Sequence, residues 1–265
     1  MNKRLKIQGS AMDRLQKNGT IAVLLIVWVV ISENGWVNNL FLPSPTDLWK
    51  SLIDMAPMLP GAIGTSLYMI LVGFLIGAVF GVLSSFIMAY SKVCLNMFGA
   101  IFDFMRPIPM FALIPMFILW FGIGRAPQIA LIALGTSVTM GVTTSEAIRN
   151  IPNIYIQAAY TLGATRGQIF RTIVLPYVVP HLIGAIRLAA ASSFGLDVAA
   201  EFMGSQKGLG YIMIVQQQYL RTSGILVVII IYSCFAIIFD KIIATIEKRV
   251  TAWTDRSSKT NALLS

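Results

Sequence analysis

The stretch from Gln157 to Pro176, QAAYTLGATRGQIFRTIVLP, is a polar interruption between strongly apolar segments. Gly163 follows a run of apolar residues at helical spacing, and glycine commonly ends a helix. Thr165 and Gln168 then match a capping box, which starts a second helix. The sequence therefore predicts a hairpin over residues 150–178, with two short helices, a glycine corner, and prolines that separate it from the next span.

The first helix of this hairpin is predicted to carry one apolar stripe. Its members fall at positions i, i+3, i+4, i+7, i+8 and i+11. They are Ile151, Ile154, Tyr155, Ala158, Ala159 and Leu162. We expect this stripe to pack against the cytosolic end of a helix bundle.

Composition places the whole chain in a membrane. Hydrophobic residues make up 57% of the 265 residues, charged residues 12%, and the mean hydropathy is +0.77. In soluble domains about 45–50% of the residues are hydrophobic and about 25% are charged. The predicted fold is an all-α, polytopic membrane bundle of about six transmembrane helices. The net charge of +9 does not indicate a nucleic-acid partner, because the basic residues flank apolar segments.

Six spans are predicted, at about residues 21–31, 61–90, 93–121, 128–145, 180–200 and 224–246. The first follows a basic tail without a small-residue cleavage site, so we interpret it as an uncleaved span. The second has Gly73, Gly77 and Gly81, a ridge of small residues for helix packing. Between these two spans, Ser44, Pro45 and Asp47 predict the start of a short helix at the outer membrane face.

Charge placement predicts the orientation. Thirteen lysines and arginines lie in tails and connections on one side, against four on the other. The thirteen are Lys3, Arg4, Lys6, Arg14, Lys17, Lys92, Arg149, Arg166, Arg171, Lys248, Arg249, Arg256 and Lys259, and the four are Lys50, Arg125, Lys207 and Arg221. The positive-inside rule then puts the hairpin and both termini in the cytoplasm. The predicted organisation is a basic tail over residues 1–19, one transmembrane domain over 20–253, and a tail over 254–265.

The hairpin resembles the cytoplasmic EAA loop of the permease subunits of bacterial ABC importers. The matching residues, which the resemblance implies contact an ATPase, are Gln157, Ala158, Ala159, Gly163, Ala164, Ile173, Leu175 and Pro176. Gln157 stands where that family usually has glutamate, which removes one expected salt bridge but leaves the shape of the hairpin.

Other stretches are similar to the aliphatic sulfonate, taurine and nitrate group of these permeases, over about residues 20–253. They are Leu42-Pro43-Ser44-Pro45, Arg106-Pro107-Ile108-Pro109, Leu119-Trp120-Phe121-Gly122-Ile123-Gly124, Ala200-Glu201 and Gly208-Leu209-Gly210-Tyr211. The resemblance implies a bacterial inner-membrane subunit that works as a homodimer with an ATPase dimer and an extracytoplasmic binding protein. ATP and Mg would bind the ATPase, and this chain, which has no phosphate-loop motif, would not be an enzyme.

Several residues are candidates for the path of a small, anionic solute. They are Arg106, Pro107, Pro109, Met140, Thr143, Thr144, Ser192 and Ser193. Proline removes helical hydrogen bonds, so the third span is predicted to be kinked or partly unwound near Arg106. Arg106 either pairs with Asp103 one turn away or faces the anion.

Two acidic residues in the fifth span, Asp197 and Glu201, are predicted to have a structural or gating role. Because they are like charges one turn apart, we expect them at an aqueous outer end of the span. The pattern Cys94, Cys234 and a lone histidine predicts no disulfide and no metal site.

An alternative function is an ion-coupled secondary transporter or a channel that works without an ATPase. Buried charges in spans are also typical of that class. The two hypotheses differ in whether transport needs an ATPase partner.

Overall fold

The computed structural model describes residues 19–20 and 22–250 of the chain. Helices and short turns account for the described residues, in agreement with the predicted all-α class. The predicted amino-terminal tail, apart from Gly19, and the predicted tail over residues 254–265 lie outside the described residues.

The helices follow one another with short connections. In chain order they are α1 Ala22–Glu33, α2 Pro45–Met55, α3 Leu59–Tyr90, α4 Lys92–Met105, α5 Ile114–Phe121, α6 Arg125–Arg149, α7 Asn153–Thr161, α8 Arg166–Ile169, α9 Leu175–Gly204, α10 Leu209–Gln218 and α11 Thr222–Val250. A 3₁₀ turn, Met110–Leu113, precedes α5, and a π-helical segment, Phe170–Val174, joins α8 to α9.

The described residues divide into two compact units, one within residues 1–59 and 212–230 and the other within residues 60–211 and 231–265. The first contains α2, which begins as predicted: Asp47 N–H donates to Ser44 Oγ at 3.3 Å, and Ser44 N–H donates to Asp47 Oδ2 at 3.4 Å. Within the same unit Ser51 Oγ donates to Ser223 Oγ at 2.6 Å. The single transmembrane domain over 20–253 stays a prediction.

Four helices of the described residues are long and apolar enough to cross a bilayer: Leu59–Tyr90, Arg125–Arg149, Arg166–Phe202 and Thr222–Glu247. A fifth span results if α4 and the segment Met110–Phe121 are taken together. The first predicted span corresponds to α1, which is apolar but shorter.

The predicted break in the third span is confirmed. α4 ends at Met105, and the chain bends by 85° before the segment Met110–Phe121. Pro107 and Pro109 lie in this bend, where they cannot donate the backbone hydrogen bonds that a continuous helix needs. The bend turns α5 back onto the bundle, where Ile114 and Phe117 are buried.

The fifth span begins earlier than predicted, and this corrects the hairpin's second helix. Residues 166–202 form one continuous helix, so Pro176 and Pro180 do not separate the hairpin from the span. The π-helical segment Phe170–Val174 lies just before Pro176. Its wider turn carries the chain into α9 although proline lacks an N–H group. The second helix of the hairpin and α9 are therefore parts of one helix.

The second unit is built around α6, which packs most extensively against α9. The glycine ridge of α3 faces α6 and lets the two backbones approach, as predicted. Ser137 Oγ on α6 donates to the backbone oxygen of Gly77 at 3.1 Å, a contact that requires this approach. A Cβ atom at Gly73 would lie 2.7 Å from Ile132 Cβ and 3.0 Å from Ile129 O.

We expect Gly73→Leu to destabilise the protein by about 1–3 kcal/mol, because the added side chain overfills this contact. Gly64→Leu is the matched control on the same helix, since nothing lies within 4 Å of a Cβ there. It should change stability by less than about 0.5 kcal/mol. Thermal unfolding of the purified protein in detergent measures both, and equal midpoints for the two variants would contradict the tight contact.

Candidate functional site

The hairpin predicted around Gly163 has the expected corner. α7 ends at Thr161, and Gly163 has φ +78, a conformation that glycine adopts without steric cost. Ala164 N–H donates to Ala159 O at 2.9 Å, which closes the end of the helix. Thr165 and Gln168 form the predicted capping box, with Gln168 N–H 3.4 Å from Thr165 Oγ1 and Thr165 N–H 2.8 Å from Gln168 Oε1.

The hairpin packs on the bundle through a different face from the predicted stripe. Its core holds Ile151, Ile169, Val174 and Val178, with Ile156, Ala159, Ala164 and Ile173 packed against it. Pro152 is the N-cap of α7, so Ile151 precedes the helix and does not continue its register. The predicted stripe is therefore wrong in register.

Much of that stripe faces away from the bundle instead. Ile154, Tyr155 and Leu162 are 64%, 56% and 86% exposed. Gln157, Ala158 and Gly163 are also exposed, whereas Leu175 and Pro176 are half-buried. The hairpin thus has one face that anchors it and an opposite, apolar face that none of the described residues covers.

A cavity of about 590 Å³ lies beside the broken third span. Its wall comes from the bend before α5, from α6 and from α9, and its polar lining residues are Arg106, Thr139, Thr143, Glu146 and Ser192. Three of the predicted path residues, Arg106, Thr143 and Ser192, are thus brought together. The irregular backbone at the bend borders this open space, as expected for non-helical backbone within a membrane.

The other predicted path residues lie elsewhere. Met140 is fully buried in a core cluster with Phe74. Thr144 is buried and accepts a hydrogen bond from Ser85 Oγ at 2.9 Å, and the buried Ser193 donates to Ala190 O at 2.7 Å. Pro107 and Pro109 are exposed at the bend and do not line the cavity. Of the predicted hydroxyl residues, Thr144 and Ser193 therefore take part in helix packing, whereas Thr143 and Ser192 line the cavity.

Arg106 does not pair with Asp103, so that alternative is wrong. Arg106 Nη1 lies 2.5 Å from Glu146 Oε1, and Asp103 Oδ2 lies 2.9 Å from Arg149 Nη1. The end of α4 and the end of α6 are thus joined by two ion pairs. The guanidinium that borders the cavity is balanced by a neighbouring carboxylate.

Asp197 and Glu201 are fully buried, which corrects the expected aqueous position. Glu201 is held by donors: Ser66 Oγ at 2.7 Å to Oε1, and the N–H groups of Gly210 and Tyr211 at 2.5 and 3.3 Å to Oε2. Leu209 N–H donates to Ser66 Oγ at 2.8 Å. Together Glu201 and Ser66 cap the first turn of α10, whose N–H groups have no partner within the helix.

Small residues make room for this cap. Gly208 has φ +122, and a Cβ at Gly210 would lie 2.9 Å from the Cβ of Glu201. Asp197, one turn before Glu201, accepts a hydrogen bond from Tyr232 Oη at 3.0 Å. The pair thus ties α9 to α3, α10 and α11, which fits a structural role.

Sequence reasoning missed Ser66, Tyr232 and Glu146. Glu146 has a signal, because Thr139, Thr143 and Glu146 stand at helical spacing and form one polar face of α6. Ser66 and Tyr232 have none: each lies in a predicted apolar span, and only the fold brings it to an acid.

Comparison with known proteins covers most of the chain. Residues 73–252 match the family described as "Binding-protein-dependent transport system inner membrane component". The chain is 27% identical to the taurine transport system permease protein TauC of Escherichia coli, covering 89% of this chain and 88% of that protein. It is 30% identical to SsuC of Bacillus subtilis, named as an aliphatic sulfonates transport permease protein, covering 88% and 85% respectively.

A solved structure shares the fold. A chain of the MetNI methionine ABC transporter in inward-facing conformations superposes with a TM-score of 0.55, at 22% identity, over 72% of this chain and 96% of that one. This likeness supports the all-α membrane bundle.

Removal of the buried carboxylate should loosen α10. Glu201→Ala leaves Ser66 and the N–H groups of Gly210 and Tyr211 without their acceptor, and each such group costs about 1–3 kcal/mol. We expect a lower thermal midpoint and faster amide hydrogen exchange over residues 209–211. Glu33→Ala, at an exposed glutamate, is the control and should change neither. Unchanged exchange in Glu201→Ala would contradict the capping role.

Proposed function

We propose a function for this chain, which belongs to the family of inner membrane components of binding-protein-dependent transport systems. It imports a small sulfonate-like anion with energy from ATP. As an ABC transporter permease it is a multi-pass inner-membrane protein and a non-catalytic subunit. The observation that carries the proposal is the hairpin: one face is packed on the bundle and the opposite face leaves Leu162 86% exposed.

The exposed face is the proposed docking surface for an ATPase subunit. Ile154, Tyr155 and Leu162 supply apolar area, which association with a partner would remove from water. Gln157 lies among them and offers an uncharged amide where a carboxylate is usual. We infer that packing contributes more than a salt bridge to this contact.

The continuous helix from Arg166 to Phe202 gives this surface a route to the transport path. Its first turn belongs to the hairpin, and Ser192, farther along, lines the cavity beside Thr143 and Arg106. A rigid helix transmits a displacement along its length, so movement of the docked hairpin would move the cavity wall. Alternating access follows if two ATPases close on ATP and carry two permease copies with them.

The complete importer would contain a second copy of this chain, an ATPase dimer that binds ATP and Mg, and an extracytoplasmic binding protein. The hairpin and both termini lie in the cytoplasm under the positive-inside rule. The relatives named for taurine and aliphatic sulfonates support an organic sulfonate as the solute.

The cavity is better suited to let a solute pass than to bind it tightly. Thr143 donates its hydroxyl to Thr139 O at 2.9 Å and Ser192 donates to Leu188 O at 3.0 Å, so their donors are used within their own helices. Glu146 balances the charge of Arg106. Transport is efficient when a solute is not held tightly along its path.

Leu162→Asp should abolish docking without unfolding the protein, because Leu162 is exposed and desolvating a new carboxylate opposes association. We expect at least a tenfold loss of ATPase that co-purifies with the chain, and an unchanged thermal midpoint. Leu220→Asp is the matched control, since Leu220 is also exposed, at 69%, and lies outside the hairpin. Full co-purification of the Leu162→Asp variant would refute the docking surface.

Ser192→Trp should block the cavity. In proteoliposomes that contain the assembled importer and its binding protein, we expect ATP-driven uptake of taurine or an alkanesulfonate to fall at least tenfold while the ATPase stays bound. Leu83→Trp is the control, because Leu83 is exposed on α3 and does not line the cavity. Uptake driven by an ion gradient in vesicles that hold this chain alone would instead favour the secondary transporter.

A further inference from the structure

A second pocket in the unit of residues 60–211 and 231–265 is separate from the transport cavity. It has a volume of about 440 Å³ and lies between the start of α3, the turn before α6 and the turn after α9. Its lining residues are Thr65, Ile123, Gly124, Arg125, Gln128, Gly204, Ser205, Gln206 and Lys207. None of them lines the cavity beside the broken span.

The electrostatic character of this pocket, called here the Arg125 pocket, is positive. Arg125 and Lys207 are the charged residues among the described residues that line it. Arg125 also lies 5.7 Å above the ring of Tyr68, a contact that orients the guanidinium. The nearby carboxylate of Glu201 is occupied by Ser66 and by the N–H groups of Gly210 and Tyr211.

The start of α6 adds partial positive charge. The first turn of a helix has N–H groups with no partner within the helix, and the helix dipole favours an anion there. The N-cap is Gly124, with φ +147, and no side chain caps this helix. α6 is twenty-five residues long, and its amino-terminal end, the positive end of the helix dipole, lies at the pocket.

The decisive residue is Gln128, one turn into α6. It is 2% exposed, and neither Nε2 nor Oε1 of its amide has a hydrogen-bond partner among the described residues. A buried amide without partners is costly, so a protein rarely keeps one unless something bonds to it. Because Gln128 lines the Arg125 pocket, its amide is placed to bond to a ligand there.

We propose that the Arg125 pocket binds the oxyanion group of a small molecule, of the sulfonate or sulfate class. Arg125, Lys207 and the first turn of α6 supply positive charge and donors, and the Gln128 amide donates from the buried side. The pocket is large enough to admit an organic tail with the anionic group. Under the orientation proposed above it lies on the extracytoplasmic side, where a solute enters; this placement and the choice of the sulfonate class rest on the proposed function.

The test is equilibrium binding of methanesulfonate to the purified full-length chain, by calorimetry at low ionic strength. We expect Gln128→Leu and Arg125→Gln each to weaken binding at least tenfold. Gln128→Leu should keep the thermal midpoint or raise it, because leucine has a similar size and leaves no unpaired amide. Lys50→Gln is the matched control for the lost charge, because Lys50 is exposed and lies outside the pocket. The affinity of this variant for methanesulfonate should match that of the wild type within twofold.

Two media distinguish the source of the oxyanion. Equal affinities in maltoside detergent and in phospholipid nanodiscs identify a free solute as the occupant. An affinity at least tenfold weaker in nanodiscs identifies a lipid phosphate that competes for the same pocket.

No binding in either medium, or wild-type affinity in both pocket variants, would overturn the inference. The proposed function is judged separately by ATP-driven uptake. An importer that transports while the purified chain binds no methanesulfonate would retain its function and lose only this site.

Discussion

The structure depends on the requirement that backbone N–H and C=O groups in a bilayer find their hydrogen bonds inside the protein. Long helices meet it along α3, α6, α9 and α11. Each departure from a regular helix is local and has a visible support. The bend before α5 borders a cavity, the π-helical segment leads into α9 just before Pro176, and a carboxylate caps the start of α10.

The same requirement sets the roles of the buried polar residues. Glu201 is fully buried and bonded to three donors, so its polar atoms connect helices and do not reach the cavity. Gln128 is equally buried, but its amide is left without a partner. Because Gln128 also lines the Arg125 pocket, its amide is placed to meet a ligand there.

The surfaces proposed for docking, transport and anion binding lie in different places on the helix bundle. The hairpin and the cavity share the continuous helix from Arg166 to Phe202, whereas the Arg125 pocket lies at the opposite end of α6 from Arg149. Glycines at the α3–α6 contact let these helices pack closely. A rigid frame of this kind is what a transporter needs if a push at the hairpin is to reach the cavity wall.

The sequence by itself determined the membrane class, the family, the capped start of α2, the glycine corner at Gly163 and the bend at Pro107 and Pro109, because these follow from composition and from backbone chemistry within a few residues. Only the tertiary structure decided side-chain partners. The face of α7 that packs depends on Pro152 ending the preceding register, and Arg106 meets Glu146 on another helix instead of Asp103 one turn away. Glu201 is buried because Ser66 and the start of α10 come to it, and Gln128 becomes informative only when its amide is seen to lack a partner. Such contacts join residues far apart in the chain, and helical spacing carries no information about them.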